Sequence, residues 1–152
     1  MNVVKTKEYY ESLRQTDLCD CAYCQNYTKQ IKTYCPQIAQ FLLTLGVDIE
    51  KPFETGPLEP DEEGQILYIS PQYIVLGESG EFNRTIVDGN EIAVIEQHPG
   101  AAIQEDYFVI DISPVRLPWR MWIDADMMSG DVTVAYTRRE DKKGAGLCVQ
   151  VP

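Results

Sequence analysis

An α+β fold, with N-terminal helices packed on a mainly antiparallel β-sheet or sandwich of about seven strands, is predicted by three features of the sequence. Apolar residues recur at helical spacing through residues 1–46, and the hydrophobic period falls to two beyond residue 64. No helical segment alternates with the strand-like ones, as parallel βαβ units would require. Between the two parts, residues 47–64 hold seven acidic residues, three prolines and two glycines, the composition of a connecting loop. The 152 residues, 44% of them hydrophobic, suit a single domain spanning 1–152. A chain of this length buries roughly 68–70% of its unfolded surface, so it needs neither metal nor disulfide to build a core. Residues 1–46 alone make a weak core, and the helices are expected to pack on the β-rich part, 65–152.

Residues 7–15 are expected to form the first helix, with Thr6 as N-cap and Tyr9, Tyr10 and Leu13 as its apolar side. A second helix begins near Asp20, the expected N-cap. Its residues Cys24, Tyr27, Ile31, Tyr34 and Cys35 fall at i, i+3, i+7, i+10 and i+11, the spacing of one buried stripe. Pro36 either kinks that helix or opens a third, whose core face is Ile38, Phe41, Leu42 and Leu45 and whose stop is Gly46. Strands are expected at 65–70, 72–77, 91–97 and 107–112, all rich in Ile, Val, Leu and Tyr. Across 115–124, Val115, Leu117, Trp119, Met121 and Ile123 share one face, and Arg116, Arg120, Trp122 and Asp124 share the other. Pro118 removes one donor, which places that strand at an edge or at a bulge. A last pair, 131–138 and 147–151, forms a hairpin around the turn at 140–146.

Thirteen Lys and Arg against twenty-four Asp and Glu give a net charge of −11, distributed as +1 over residues 1–46 and −12 over the rest. Nucleic acid and anionic membrane surfaces are poor partners for such a field, because binding them rests on Lys and Arg displacing counterions. A basic protein surface fits it better, although solubility alone accounts for the surplus. No apolar run approaches the ~18 residues of a spanning helix, and the first residues lack the apolar stretch of an export signal. A soluble, cytoplasmic protein is therefore expected.

The densest local feature is Cys19-Asp20-Cys21-Ala22-Tyr23-Cys24, with Cys35 and Cys148 further on. In a reducing compartment these residues signify metal binding, redox chemistry or packing rather than a disulfide framework. As zinc ligands, Cys19, Cys21 and Cys24 supply three thiolates from one turn. Cys35 would stand roughly 16 Å further along a continuous helix, which leaves His98 or Cys148 for the fourth corner. As a redox pair, Cys21 and Cys24 have Cys-x-x-Cys spacing at a helix's first turn, but Asp20 as N-cap would satisfy the amides that favour a thiolate. As packing groups, Cys24 and Cys35 are small hydrophobes in one stripe with Tyr27 and Ile31. Packing is preferred, since no second Cys-x-x-Cys pair completes a ligand set.

The segment Cys19-Asp20-Cys21-Ala22-Tyr23-Cys24-Gln25-Asn26-Tyr27, followed by Leu45-Gly46-Val47-Asp48-Ile49-Glu50-Lys51-Pro52, resembles a family of small bacterial proteins with a Cys-Asp-Cys-x-Tyr-Cys-x-Asn segment. That family has no established activity to carry over. The resemblance implies a bacterial, cytoplasmic origin and draws attention to the cysteines.

Other candidates reduce to turns. His98-Pro99-Gly100 follows a strand and has no second histidine to work with. Asp124-Ala125-Asp126 with Asp131 lacks oxygen donors where Met127 and Met128 stand. Gly77-Glu78-Ser79-Gly80 reads as an ordinary turn, and Arg138, Arg139, Lys142 and Lys143 read as a solvated hairpin tip. No complete catalytic constellation emerges. The expected function is a non-enzymatic interaction module whose acidic surface meets a protein partner or a second copy. Trp122, among Arg116 and Arg120 on an outer face, is the candidate contact. The alternatives are a zinc protein built on Cys19, Cys21 and Cys24, and a thiol oxidoreductase using Cys21 and Cys24.

Overall fold

A computed structural model of the chain describes residues 1–80 and 82–121. Three α-helices come first: α1 Val3–Ser12, α2 Ala22–Tyr34 and α3 Pro36–Thr44, with a 3₁₀ turn Gln15–Asp17 between α1 and α2. α1 begins before Thr6 because Asn2 caps it, its Oδ1 accepting from the Lys5 amide at 3.0 Å. α2 is capped by Cys21 and not by Asp20. Pro36 opens α3 at its first position, where a missing amide costs nothing. The stripe on α2 buries Cys24, Tyr27 and Ile31, whereas Tyr34 is 48% exposed. Tyr34 lies roughly 80° around the helix from Cys24 and on its last turn, at the margin of the stripe. Gly46 stops α3 with φ of +82°; a Cβ there would overlap the Val3 carbonyl and stand 2.9 Å from the Lys7 amide. Only glycine lets the end of α3 meet α1 so closely.

The described residues hold six strands: β1 Gln65–Tyr68, β2 Gln72–Leu76, β3 Arg84–Val87, β4 Asn90–Ile95, β5 Tyr107–Ser113 and β6 Val115–Pro118. They form a four-stranded antiparallel sheet in the order β2-β5-β4-β3 and a separate antiparallel pair, β1-β6. β3 is an addition to the sequence expectation. It pairs with β4 around Asp88 and Gly89, whose φ angles of 51° and 80° are those of a two-residue hairpin turn. β6 ends at Pro118, short of the expected residue 124, because proline offers no ladder donor there. The next amide, Trp119 N, turns to the Gly64 carbonyl at 2.8 Å. The expected alternation holds in part: Val115, Leu117 and Trp119 are buried and Arg116 and Arg120 exposed, but Pro118, between the arginines, is buried as well. The strands expected at 131–138 and 147–151, and residues 122–124, lie outside the described residues. No described helix is long and apolar enough to cross a membrane.

The helices pack against the sheets as expected. Tyr10, Tyr27, Ile31 and Leu42 meet Tyr73, Ile92, Ile110 and Leu117 in the main core. Successive residues of β2 point to opposite faces, so Ile74 and Leu76 join Phe53 and Val109 in a smaller cluster on the other side. The outer edge of β2 is covered by side chains and loop, not by another strand. The Leu76 amide donates to Thr6 Oγ1 at 3.0 Å, the Asn2 amide donates to the Leu76 carbonyl at 2.7 Å, and the Tyr10 hydroxyl serves Ile74. Further along, Phe53 N donates to the Gln72 carbonyl and Gln72 N to the Glu54 carbonyl, both at 2.7 Å. Such covering removes the free edge that would template pairing with another chain. It also fixes the backbone of residues 53–54 against the sheet.

Candidate metal centre

The chain between the 3₁₀ turn and α2 is extended at Leu18 (φ −99°, ψ 151°) and again at Cys21 (φ −66°, ψ 156°). Cys19 stands two residues before Cys21 in this link. A capping side chain lies over the third helical position, which brings Cys21 to Cys24. The spacing i, i+2, i+5 across an extended-to-helix junction thus converges three thiols, and the sulfurs of Cys19, Cys21 and Cys24 all lie within 4.8 Å of one another. A tetrahedral zinc site with Zn–S of about 2.3 Å needs S···S separations of ~3.8 Å, an adjustment of an ångström or less.

Cys21 Sγ accepts from the Cys24 amide at 3.5 Å, so sulfur occupies the position that a capping oxygen usually fills at the positive end of a helix. Asp20, expected to compete for those amides, is exposed and engages Gln25 Nε2 only through its carbonyl, at 2.6 Å. Cys24 is 4% exposed, Cys19 and Cys21 are half-buried, and no disulfide joins them.

Against the triad lies residue stretch 52–55, buried throughout. Thr55 Oγ1 meets Cys24 Sγ at 3.5 Å, and Cys19, Cys24, Thr28, Pro52 and Glu54 line a crevice of about 10 Å³ between α2 and this stretch. That is roughly the space of one water-sized sphere. Glu54 is 2% exposed, and neither of its carboxylate oxygens has a hydrogen-bond partner among the described residues. Burial pushes its pKa above the usual carboxylate range. The sequence gives no sign of this group, which stands among six other acidic residues in the connecting loop and thirty positions from Cys24.

The remaining sequence candidates are placed elsewhere. Cys35 ends α2 and caps α3, half-buried against the main core; burial, then the nearby Asp88 carboxylate, raises its thiol pKa. His98 sits at its turn with Nδ1 2.8 Å from the Pro99 carbonyl and its ring beside Tyr107, and it does not join the sulfur cluster. Cys148 and Trp122 lie outside the described residues. Arg116 and Arg120 are both exposed, and Arg116 Nη1 donates to Asp61 Oδ2 at 3.0 Å. Asn26, the last residue of the Cys-Asp-Cys-x-Tyr-Cys-x-Asn segment, is fully buried. Its Nδ2 donates to the Tyr68 hydroxyl (3.2 Å) and the Pro118 carbonyl (3.1 Å), and its Oδ1 accepts from the Arg120 amide at 2.9 Å. It clamps α2 to the end of β6, and so holds the helix whose first turn carries the thiols. Comparison of the chain with family models, with curated proteins and with solved structures gave no significant match.

Proposed function

We propose that the protein binds zinc, or a comparable thiophilic divalent ion, through Cys19, Cys21 and Cys24, and that the centre is structural. The observation that carries this reading is the convergence of three reduced sulfurs within 4.8 Å at the N-terminus of a helix. A thiolate-rich donor set suits zinc among the common divalent ions, and helix-terminal amides ease the deprotonation that binding requires. The work of the ion is mechanical: it fastens the extended link after α1 to the first turn of α2, beside residues 52–55. Protein purified under reductant and without chelator is expected to carry stoichiometric zinc, and Cys21→Ser and Cys24→Ser are expected to lose it. Metal-free protein that takes up neither zinc nor cobalt(II) under reductant overturns the reading. So does a Cys21–Cys24 disulfide that opens and closes at physiological reductant whether or not metal is supplied.

A second reading, an interaction module for a protein partner or a second copy, draws on a different observation. A groove of about 490 Å³ runs between α1, α3 and residues 46–51, floored by Ala39, Leu43, Val47 and Ile49. Leu43 is exposed there, and the rim lysines Lys7, Lys32 and Lys51 are paired with Glu11, Glu50 and Asp48. An apolar floor with a charge-paired rim suits contact more than catalysis. Light scattering behind size-exclusion chromatography over a concentration series, with affinity capture, tests it; a monomer that retains nothing counts against it.

A further inference from the structure

We infer that Glu54 is the fourth ligand of the centre, so that the donor set is three thiolates and one carboxylate; this rests on reading Cys19, Cys21 and Cys24 as a metal site. Three thiolates around a divalent ion leave one corner of a tetrahedron open, and structural zinc sites are closed by a fourth protein donor. Among the described residues, the sulfur cluster includes no histidine, acidic group or further cysteine within its own radius, so the closing group must reach in from the surroundings.

Glu54 is the group placed to do so. It lines the same crevice as Cys19 and Cys24, and the residue after it touches Cys24 Sγ through Thr55 Oγ1 at 3.5 Å. Its backbone is fixed on the edge of β2, with its carbonyl accepting from Gln72 N at 2.7 Å. Among the described residues, both carboxylate oxygens are buried without a donor and no lysine or arginine lines the crevice. Buried polar groups are as a rule partnered, and one without a partner calls for an explanation such as an ion. A cation held by the three sulfurs supplies that missing partner. Among the described residues, Gln72 Oε1, on the residue bridged to Glu54, is another buried acceptor lacking a partner. A Glu54 proton shared with Gln72 is therefore the competing account.

Cobalt(II) titration of the full chain under reductant separates these possibilities, because sulfur-to-cobalt charge transfer counts thiolates while the d–d bands report the whole donor set. Wild-type protein is expected to show both. Glu54→Gln and Glu54→Asp are expected to keep the charge-transfer band, to change the d–d envelope, and to bind cobalt(II) about 10-fold or more weakly. X-ray absorption of the wild-type zinc form needs no variant and is expected to fit three sulfurs at about 2.3 Å and one oxygen at about 2.0 Å. Unchanged d–d bands and affinity in Glu54→Gln, or a fourth sulfur in the zinc shell, overturn the assignment of Glu54 and leave the thiolate triad standing. Absence of charge transfer in the wild type overturns the triad, and Glu54 with it.

Discussion

The Tyr10 hydroxyl donates to the Ile74 carbonyl at 3.1 Å and accepts from the Ile74 amide at 3.0 Å, so one side chain of α1 satisfies both backbone groups of one residue on the edge of β2. All of these atoms are buried. Tyr10→Phe keeps the ring and orphans both groups, and is expected to cost about 2–4 kcal/mol. Thr6→Val, which orphans only the Leu76 amide, is expected to cost about 1–2 kcal/mol. Urea unfolding with an unchanged slope measures both; equal costs, or a neutral Tyr10→Phe, would show that water replaces the hydroxyl.

Gly46 makes a second prediction about how α3 and α1 meet. Alanine there faces both a positive φ and overlap with the backbone of residues 3 and 7, and Gly46→Ala is expected to destabilise by about 2–4 kcal/mol. Gly64 is the control, with φ of +71° and nothing within 4 Å of the position a Cβ would take. Gly64→Ala is expected to show the conformational penalty alone, about 1 kcal/mol.

Cys35 offers a test by pH. Burial and the neighbouring Asp88 carboxylate raise its thiol pKa, so at neutral pH it holds less thiolate than an unperturbed cysteine. Its alkylation by iodoacetamide, followed by mass spectrometry from pH 7 to 10, is expected to rise later than that of an unstructured thiol of pKa about 8.5. Asp88→Asn keeps a residue that tolerates the turn's φ of 51° and removes the charge, and is expected to move the profile to lower pH. A profile indifferent to Asp88 would leave burial as the whole cause.

The elements the sequence predicts best are those whose signal is local. The face of α3, its opening at Pro36 and its stop at Gly46 are written within eleven residues. The Asp88-Gly89 turn was equally legible as a hairpin signal, but β3 is only four residues long and exposes Ile86, so the buried alternation that marks a strand is missing. Cap positions misled where tertiary partners intervened: Thr6 spends its hydroxyl on Leu76, and Cys21 takes the cap that propensity assigns to Asp20. The proximity of Cys19, Cys21 and Cys24 could be read from spacing alone. Glu54 could not, because only the pairing of residues 53–54 with Gln72 brings it to the crevice.

Asn26 tests whether the polar end of the cysteine segment is scaffold or ligand. Its three hydrogen bonds are all to the fold, so Asn26→Ala is expected to lose about 2–4 kcal/mol by leaving the Pro118 carbonyl and Arg120 amide without their partner. Where the variant remains folded, cobalt(II) stoichiometry and the thiolate charge-transfer band are expected to match wild type. Loss of charge transfer in a folded Asn26→Ala would mean that the first turn of α2 needs this clamp to present its sulfurs.

A metal centre that fastens the start of α2 must also stabilise the fold, since an ion bound only to the native state adds RT ln(1 + [L]/Kd). With free zinc at one hundred times its dissociation constant, that gain is about 2.7 kcal/mol. For a chain of this size each kcal/mol is worth about 2–4 °C, so zinc is expected to raise the melting temperature by about 5–10 °C and a chelator to reverse the rise. The variants assign the effect. Cys35→Ser stands away from the cluster and is expected to keep the full zinc-dependent increment, whereas Cys24→Ser removes the buried thiol of the proposed site and is expected to abolish it. Cys24→Ser also replaces the sulfur that meets Thr55, so its metal-free stability must be measured separately and the increment taken as the difference between the two forms. An increment that survives in Cys24→Ser and vanishes in Cys35→Ser would move the site to the junction of α2 and α3, where the cysteine is half-buried and no second thiol of the described residues stands with it.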